Sequence, residues 1–124
     1  IADYVVDNSR RVFEKHKESF KMFYKAGGKI AMGTDAGTPF NLHGENAMEM
    51  AYMVDCGMTP VDALNSATSV AHNLMQLDKR GQIKSGFKAD MLIVNGNPTE
   101  DILMAAAKKN HRLVVKNGRK VDFP

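Results

Sequence analysis

The sequence has no tryptophan, a single cysteine and no long hydrophobic run. One cysteine, Cys56, excludes an intrachain disulfide and a multi-cysteine zinc site, and it fits a reducing compartment, which slightly favours the cytoplasm. Because no stretch approaches the roughly 18 apolar residues that cross a bilayer, we expect no membrane partner. The chain starts at Ile1 with no methionine, signal peptide or transit segment, so we expect a processed chain or a piece of a longer polypeptide.

Charge of one sign is not concentrated either. The 17 Lys and Arg residues face 14 Asp and Glu residues, and the net charge is +3. The longest basic patches, Lys79-Arg80 and Lys108-Lys109, are too short for a nucleic-acid footprint, so we expect no nucleic-acid partner. A chain of 124 residues with 44% hydrophobic and 25% charged residues is typical of one globular domain, yet short for a complete enzyme.

The first part of the chain has the pattern of an α/β unit. Residues 4–26 are expected to form a helix, because apolar residues recur at spacings of three and four. This stripe consists of Val12, Phe13, His16, Phe20, Phe23 and Tyr24. Gly27-Gly28 is a helix stop, and the short apolar run 29–33 is typical of a buried parallel strand.

The remaining chain is predicted to be helical up to about residue 80 and β-rich afterwards. We expect a methionine-rich helix near 45–56, a helix starting at Thr59-Pro60 with Thr59 as its N-cap, and a short helix capped by Thr68 or Ser69 and ending near Leu77. Strand signals lie at 82–84 and 89–95, and a short helix with Thr99 as its cap is expected from Pro98 to about Ala107. Asn117-Gly118 predicts a hairpin between 112–116 and 119–121.

Asp35 is the residue with the clearest chemical potential. It directly follows the predicted buried strand, which is where α/β folds and barrels place catalytic groups. A carboxylate in that position can bind a metal and exchange a proton with metal-bound water. The alternative from spacing alone is an aspartate that forms an Asx turn or caps a helix, since Asp is a common turn residue.

Other candidates have plainer explanations. His43 lies eight residues after Asp35 and could contact a metal or a substrate, or it could pack at the junction between loop and helix and cap the helix that contains Glu45. His16 is expected in the core, and Glu45 and Glu49 read as charges at a helix start rather than a carboxylate pair. Cys56 is expected to be a small buried apolar group. The four histidines, with no HxH or HExxH pair, do not build a closed metal site by themselves, since His72 and His111 have no partner at ligand spacing.

A succession of motifs resembles the C-terminal third of the amidohydrolase superfamily, in its imidazolonepropionase-like and Xaa-Pro dipeptidase (prolidase-like) branch. The matching segments occur in order along nearly the whole chain. They are Gly-Thr-Asp-Ala-Gly-Thr-Pro at 33–39, His43-Gly44, Gly57-Met58-Thr59-Pro60, Ala63-Leu64, Ala67-Thr68, the run 81–94, Asn97-Pro98 and Asp101-Ile102.

This resemblance implies an α/β fold: the last βα unit of a (β/α)₈ TIM-type barrel and the C-terminal part of a small composite β-sandwich. Residues 1–80 would belong to the barrel and residues 81–124 to the sandwich. It also implies that Asp35 binds a catalytic divalent metal, zinc above all, as one or two ions in the complete enzyme, and carries a proton to the leaving amine. The other ligands of the family, an HxH pair, a lysine and two histidines, would lie in preceding segments.

The function expected from this resemblance is metal-dependent hydrolysis of an amide or peptide C–N bond in a dipeptide or a cyclic amide. Asp35 would be catalytic, and His43 could bind the substrate. With one ligand left, we expect the isolated chain to hold no catalytic metal and to be inactive, and its open faces to pair with the remainder of the barrel or with another copy. The alternative is a non-catalytic binding or structural domain derived from the same fold; upstream metal ligands in the gene would argue against it.

Overall fold

The chain opens with one long helix that ends as the sequence predicts. In a computed structural model, which describes residues 3–39 and 41–122, α1 spans Asp3–Lys25. It ends where Gly27 N donates to Tyr24 O (2.9 Å) and Gly28 N to Phe23 O (3.0 Å), with Gly27 at φ +80°. This pair of hydrogen bonds is the Schellman arrangement, and glycine adopts its positive φ without steric cost.

Three short helices follow the loop after α1. A 3-10 turn at Asn46–Met48 leads into α2 (Glu49–Asp55), and then come α3 (Pro60–Ala67) and α4 (Ser69–Leu74). The N-cap prediction at Thr59 is confirmed, because its Oγ1 accepts a hydrogen bond from Asp62 N at 3.1 Å. Thr68 is the N-cap residue of α4, but without a side-chain cap bond, and that helix ends three residues earlier than expected.

The C-terminal region forms a three-stranded antiparallel sheet in the order β1-β2-β3. The strands are β1 (Met91–Val94), β2 (His111–Lys116) and β3 (Arg119–Val121), and α5 (Leu103–Ala106) lies between the first two. Leu92 pairs with Val114, which in turn pairs with Val121. Asn117 and Gly118 have φ +49° and +75°, as a tight hairpin turn requires, so the hairpin prediction is confirmed.

One carboxylate fastens the hairpin to the chain that enters β1. Asp90 Oδ1 accepts from Asn117 N at 2.8 Å, and Asp90 Oδ2 accepts from Lys116 Nζ at 3.2 Å. The bond from the Asn117 backbone, followed by that from Lys116, holds the pKa of Asp90 below its usual value. The turn is therefore held by side chains as well as by the β-ladder.

The core is small and is formed by helices from both halves of the chain. Its buried residues are Met50, Ala51, Met53, Met58, Ala63, Ile102, Ala105 and Ala106. The methionine-rich helix α2 contacts both α3 and α5, so it is packed on more than one side, as expected. Beyond residue 80, α5 contributes Ala105 and Ala106 to the core, and Ile102 directly precedes that helix. The division into 1–80 and 81–124 stays a prediction, and the core spans it. No helix in the described ranges is both long and apolar enough to cross a membrane.

Two predicted strands are not observed. Segment 29–33 is not part of a sheet, and Met32 N instead donates to Ser66 O at 3.0 Å. Residues 82–84 form a bend and an irregular stretch in which the side chain of Ile83 is 91% exposed. A strand needs a partner for its backbone groups, and within 3–39 and 41–122 neither segment has one.

Other local predictions were also wrong in detail. The helix expected within 98–107 is limited to α5, and Thr99 caps no helix: its N and Oγ1 both donate to Asn97 Oδ1, at 3.1 and 2.7 Å. His16 is exposed rather than buried, and Cys56 is only partly buried. Of the apolar stripe on α1, Phe20 and Tyr24 pack against the core, whereas Val12 and Phe13 are more than half exposed.

A hydrogen-bonded cluster joins α1 to the start of α3. Tyr24 Oη donates to Asp62 Oδ2 and accepts from Thr59 N at 3.2 Å, while Thr59 Oγ1 bonds Asp62 Oδ2 at 2.8 Å. The Tyr24 hydroxyl, and after it the Thr59 hydroxyl, lowers the pKa of Asp62. The long helix is therefore attached to the bundle through an ionised carboxylate.

We expect Tyr24→Phe to reduce stability more at neutral pH than in acid. A carboxylate with a lowered pKa in the folded state stabilises the fold above its unfolded pKa, near 3.9, and this contribution is lost as the pH falls through the lower folded value. The free energy of unfolding, measured by urea denaturation from pH 2 to 7, should show a wild-type advantage that shrinks in acid. Tyr52→Phe, at an exposed tyrosine of α2, is the matched control; a pH-independent loss in Tyr24→Phe would contradict this role.

Candidate functional site

Asp35 has a backbone conformation that few residues other than glycine adopt. Its φ is +49°, in the left-handed region, and the residue is exposed. Asp and Asn tolerate this region better than other side chains, but such residues usually stand at turns or functional sites. Within the described ranges no donor bonds the Asp35 carboxylate, so the hydrogen bond of an Asx turn is not seen there.

The residue before Asp35 is held from two directions. Asn41 Nδ2 donates to Thr34 O, and Asn46 Nδ2 donates to Thr34 Oγ1 at 3.1 Å. Thr34, Asn41 and Asn46 are all partly buried. Asn46 starts the 3-10 turn that leads into α2, so the loop is connected to the helix that carries Met50 and Met53 into the core.

The loop after Asp35 closes into a tight turn. Gly37 N donates to Asn41 O at 2.8 Å, Asn41 N donates to Thr38 O at 3.1 Å, and Thr38 Oγ1 donates to Asp35 O at 3.3 Å. Gly37 has φ +102°, and a Cβ placed on it would lie 3.0 Å from His43 Nε2. The turn thus brings the ring of His43 against the loop that carries Asp35.

His43 does not have the capping role of its plainer explanation. The residue before the 3-10 turn is Glu45, which makes no side-chain cap bond, and His43 lies exposed two residues earlier. Its ring instead covers the side of Gly37 that lacks a side chain. The two residues singled out in the sequence, Asp35 and His43, are therefore parts of one loop.

The remaining candidates, His72, His111, Glu45 and Glu49, have the structural settings expected of them. His72 Nδ1 and His111 Nε2 each lie 2.7 Å from a backbone carbonyl, of Thr68 and Ala105. Glu45 is exposed, and Glu49 lies in the first turn of α2, as expected of charges at a helix start. Partial burial raises the pKa of Glu49, and the charge of His16 opposes this rise.

A metal ion does not fit the described residues by themselves. Among residues 3–39 and 41–122, no group of three His, Cys, Asp or Glu side chains is close enough to hold one. Asp35 offers one carboxylate, whereas zinc sites in proteins have three or four protein ligands. Whether Asp35 is one ligand of a larger site stays a prediction.

A cleft of about 610 Å³ lies beside the loop, between the start of α2 and the segment before β2. Its lining includes Thr34, Asn41 and Asn46 from the loop region, and Lys108 and Lys109 from the segment before β2. Asp35 is not among its lining residues. The polar groups that hold Thr34 are therefore next to open space as well as to the core.

The sequence analysis missed Asn41 and Asn46. Asparagine is common in loops, and its side chain can replace backbone groups in turns, so neither residue stood out. The usable signal was their position: both follow Asp35 within eleven residues, in a segment rich in Gly and Thr. A polar side chain with two donors in such a segment is a candidate for holding the loop.

We expect Gly37→Ala to destabilise the loop and displace His43. The added Cβ would lie within 3.0 Å of His43 Nε2, and a left-handed backbone costs an L-residue roughly 1–2 kcal/mol. Gly33→Ala is the matched control, since nothing in the described ranges lies within 4 Å of its added Cβ, and a compatible Gly→Ala change alters stability by at most about 1 kcal/mol. Urea unfolding measures both; an equal, small effect would contradict the constraint.

Comparison with known proteins gives a consistent result. The model of the Amidohydrolase family matches residues 1–121. Ochratoxinase of Aspergillus niger is 33% identical over 114 residues, which is 90% of this chain and 23% of ochratoxinase. The chain therefore spans about a quarter of the length of the curated relatives it matches. Members of this family generally bind divalent metals.

Solved structures agree with the family. A Xaa-Pro dipeptidase with methionine bound in its active site is 41% identical, with a TM-score of 0.77 over 86% of this chain and 25% of the dipeptidase. A provisionally assigned prolidase of Bifidobacterium longum is 29% identical and has a TM-score of 0.89 over 100% of this chain and 30% of its own. The resemblance to the prolidase-like branch is thus confirmed, and the chain belongs to the amidohydrolase family.

Proposed function

We propose that this chain is the C-terminal part of an enzyme that hydrolyses an amide or peptide C–N bond, with Asp35 as its proton-transferring residue. The observation that carries the proposal is the carboxylate of Asp35, exposed and not bonded by any described residue, in a chain that belongs to the amidohydrolase family. Its exposed carboxylate follows segment 29–33, on a left-handed backbone, with no hydrogen-bond donor in the described ranges. A carboxylate without a structural partner is free to accept and return a proton.

The role of Asp35 can be written as two proton transfers. In the first, the carboxylate takes a proton from water as the water oxygen bonds to the carbonyl carbon of the substrate. In the second, the protonated Asp35 gives that proton to the nitrogen as the C–N bond breaks, which leaves a carboxylic acid and an amine. Asp35 ends as it began, ionised, as a catalyst must.

A divalent metal is part of the proposal, but no reaction step is assigned to it. In hydrolases such an ion, zinc above all, makes water acidic and polarises the carbonyl group. We propose one or two ions in the complete enzyme, with Asp35 as one ligand and the others contributed by residues outside this chain. Because the described residues alone do not fit a metal, the proton transfers above are assigned to Asp35 only.

The rest of the polypeptide is proposed to complete the fold. Segment 29–33 would be the last strand of a TIM-type barrel, residues 1–80 part of that barrel, and residues 81–124 part of a β-sandwich. Support comes from the exposed apolar side chains of α1, among them Tyr4, Val12 and Phe13 at 71%, 66% and 55% exposure. Such a surface favours contact with the remainder of the barrel or with another copy of the chain.

Dipeptides are the first substrates to test, because the solved relatives include a Xaa-Pro dipeptidase and a prolidase complexed with N-methylphosphonate-L-proline. The latter is 29% identical, with a TM-score of 0.75 over 85% of this chain and 26% of its own. Proline occurs in both names, once in the peptide that the enzyme is named for and once in the bound compound. We propose that small amides of amino acids are the substrate class.

We expect Asp35→Asn in the full-length protein to lower kcat by about 10²- to 10⁴-fold, because the amide cannot accept the proton. Initial rates on a panel of Xaa-Pro and Met-Xaa dipeptides measure this loss. Asp78→Asn, at an exposed aspartate between α4 and β1, is the matched control and should retain wild-type rates. Unchanged turnover in Asp35→Asn would refute the proposal.

His43 is proposed to contact the substrate from the same loop. Its ring is exposed and held against Gly37, so it can be presented to a bound ligand without reordering the loop. We expect His43→Gln to raise KM by roughly 10-fold with a smaller change in kcat, the pattern for loss of a contact made equally in the ground and transition states. An unchanged KM across the dipeptide panel would remove His43 from the site.

A further inference from the structure

The direction of the Asp35 side chain depends on two peptide planes. The carbonyl of Thr34 and the amide of Asp35 lie in one rigid plane, and the φ angle of Asp35 measures rotation relative to that plane. The carbonyl of Asp35 belongs to the next plane, which defines ψ. If both planes are fixed, the bond from Cα to Cβ of Asp35 points in one direction only.

Asn41 holds the first of these planes. Its Nδ2 donates to Thr34 O, the acceptor atom of the peptide that enters Asp35. The backbone of Asn41 is fixed in turn, because its N and O bond Thr38 O and Gly37 N at 3.1 and 2.8 Å. Both backbone bonds of the turn and the side-chain bond to Thr34 thus come from one residue.

The second plane has a weaker restraint of the same kind. Thr38 Oγ1 donates to Asp35 O at 3.3 Å, and Thr38 is the residue that forms a β-bridge with Asn41. The Asp35 backbone, at φ +49°, is therefore enclosed between donors that belong to one turn. A conformation that L-residues seldom adopt persists only where the surroundings impose it.

We propose that Asn41 is a positioning residue: its side-chain amide holds the Thr34–Asp35 peptide so that the Asp35 carboxylate keeps the orientation its chemistry needs. This inference rests on the proposed function of Asp35. It assigns to Asn41 no contact with substrate. Asn41 acts through the backbone, and misplacement of a catalytic group by about 1 Å can reduce a rate by about 10²-fold.

A pair of isosteric substitutions separates this role from a general effect of the loop. In Asn41→Asp, a carboxylate faces the carbonyl oxygen of Thr34, which has no hydrogen to donate, so the bond is replaced by repulsion. In Asn46→Asp, the carboxylate faces the hydroxyl of Thr34, which can donate, so a bond is kept with its direction reversed. Each variant adds one negative charge to the same loop.

The experiment uses the full-length protein and the same dipeptide panel. We expect Asn41→Asp to lower kcat by about 10²-fold while KM changes by less than about 3-fold, because substrate is still bound and the acid–base group is misplaced. Asn46→Asp should lower kcat by no more than about 5-fold, because its bond to Thr34 is kept and only the electrostatic effect of the added charge remains. The thermal midpoint of Asn41→Asp should fall further than that of Asn46→Asp, because the bond is lost in the first and kept in the second, so kcat is measured well below both midpoints and expressed per folded molecule.

Further results decide between the possibilities. Adding Asn41→Asp to Asp35→Asn should cause no additional loss of kcat, since a positioning residue has nothing left to position. Equal losses of kcat in Asn41→Asp and Asn46→Asp, or a wild-type kcat in Asn41→Asp, would overturn the inference while leaving Asp35 intact. A large fall in the thermal midpoint of Asn41→Asp alone, with kcat per folded molecule unchanged, would make Asn41 merely structural and also overturn it. Full turnover in Asp35→Asn would instead refute the proposed function itself.

Discussion

A main-chain hydrogen bond from Met32 N to Ser66 O anchors the chain that leads into the loop, and the side chains of Ile30 and Met32 pack against the same core. Ser66 is 1% exposed, and its hydroxyl bonds Ala63 O at 2.7 Å, so the acceptor belongs to the most buried part of α3. In the described ranges segment 29–33 has no strand beside it to fix its course. The bond to Ser66 therefore connects the chain that leads into Asp35 to the helical core, and the contacts of Asn41 and Asn46 with Thr34 hold the same chain two residues further on.

The elements that the sequence predicted well are those defined by local interactions. The periodicity of α1 and the Gly27-Gly28 stop, the N-cap at Thr59 and the Asn117-Gly118 hairpin each depend on a few neighbouring residues, and all are observed. The failures at 29–33 and 82–84 have the opposite cause. A strand forms only against another strand, and neither the apolar run 29–33 nor Ile83 between its polar neighbours indicates whether such a partner is present.

In the candidate site, too, the sequence indicated the residues with a local signal and missed those defined by contacts in the folded chain. Asp35 was identified from its place after an apolar run and from the order of motifs, and His43 from its nearness in sequence. Asn41 was not found, because a hydrogen bond from an asparagine to a carbonyl seven residues earlier leaves no periodic trace. The role of Asn41 becomes apparent only from the hydrogen bonds that join it to Gly37 and Thr38 and bring its side chain to Thr34. Residues that act on the backbone of a reactive group are thus harder to read from sequence than the group itself.

The methionines of the core make oxidation a measure of how often the helices separate. Met50, Met53 and Met58 are 4–6% exposed, while Met22 and Met75 are more than half exposed. Oxidation to the sulfoxide converts an apolar side chain into a polar one and follows access to the oxidant. A mild peroxide would modify the outer thioethers first, at little harm. The amount of sulfoxide at Met53 would then report how often α2 and α3 have separated. Because the sulfoxide is polar, each oxidised molecule would repack these helices less well.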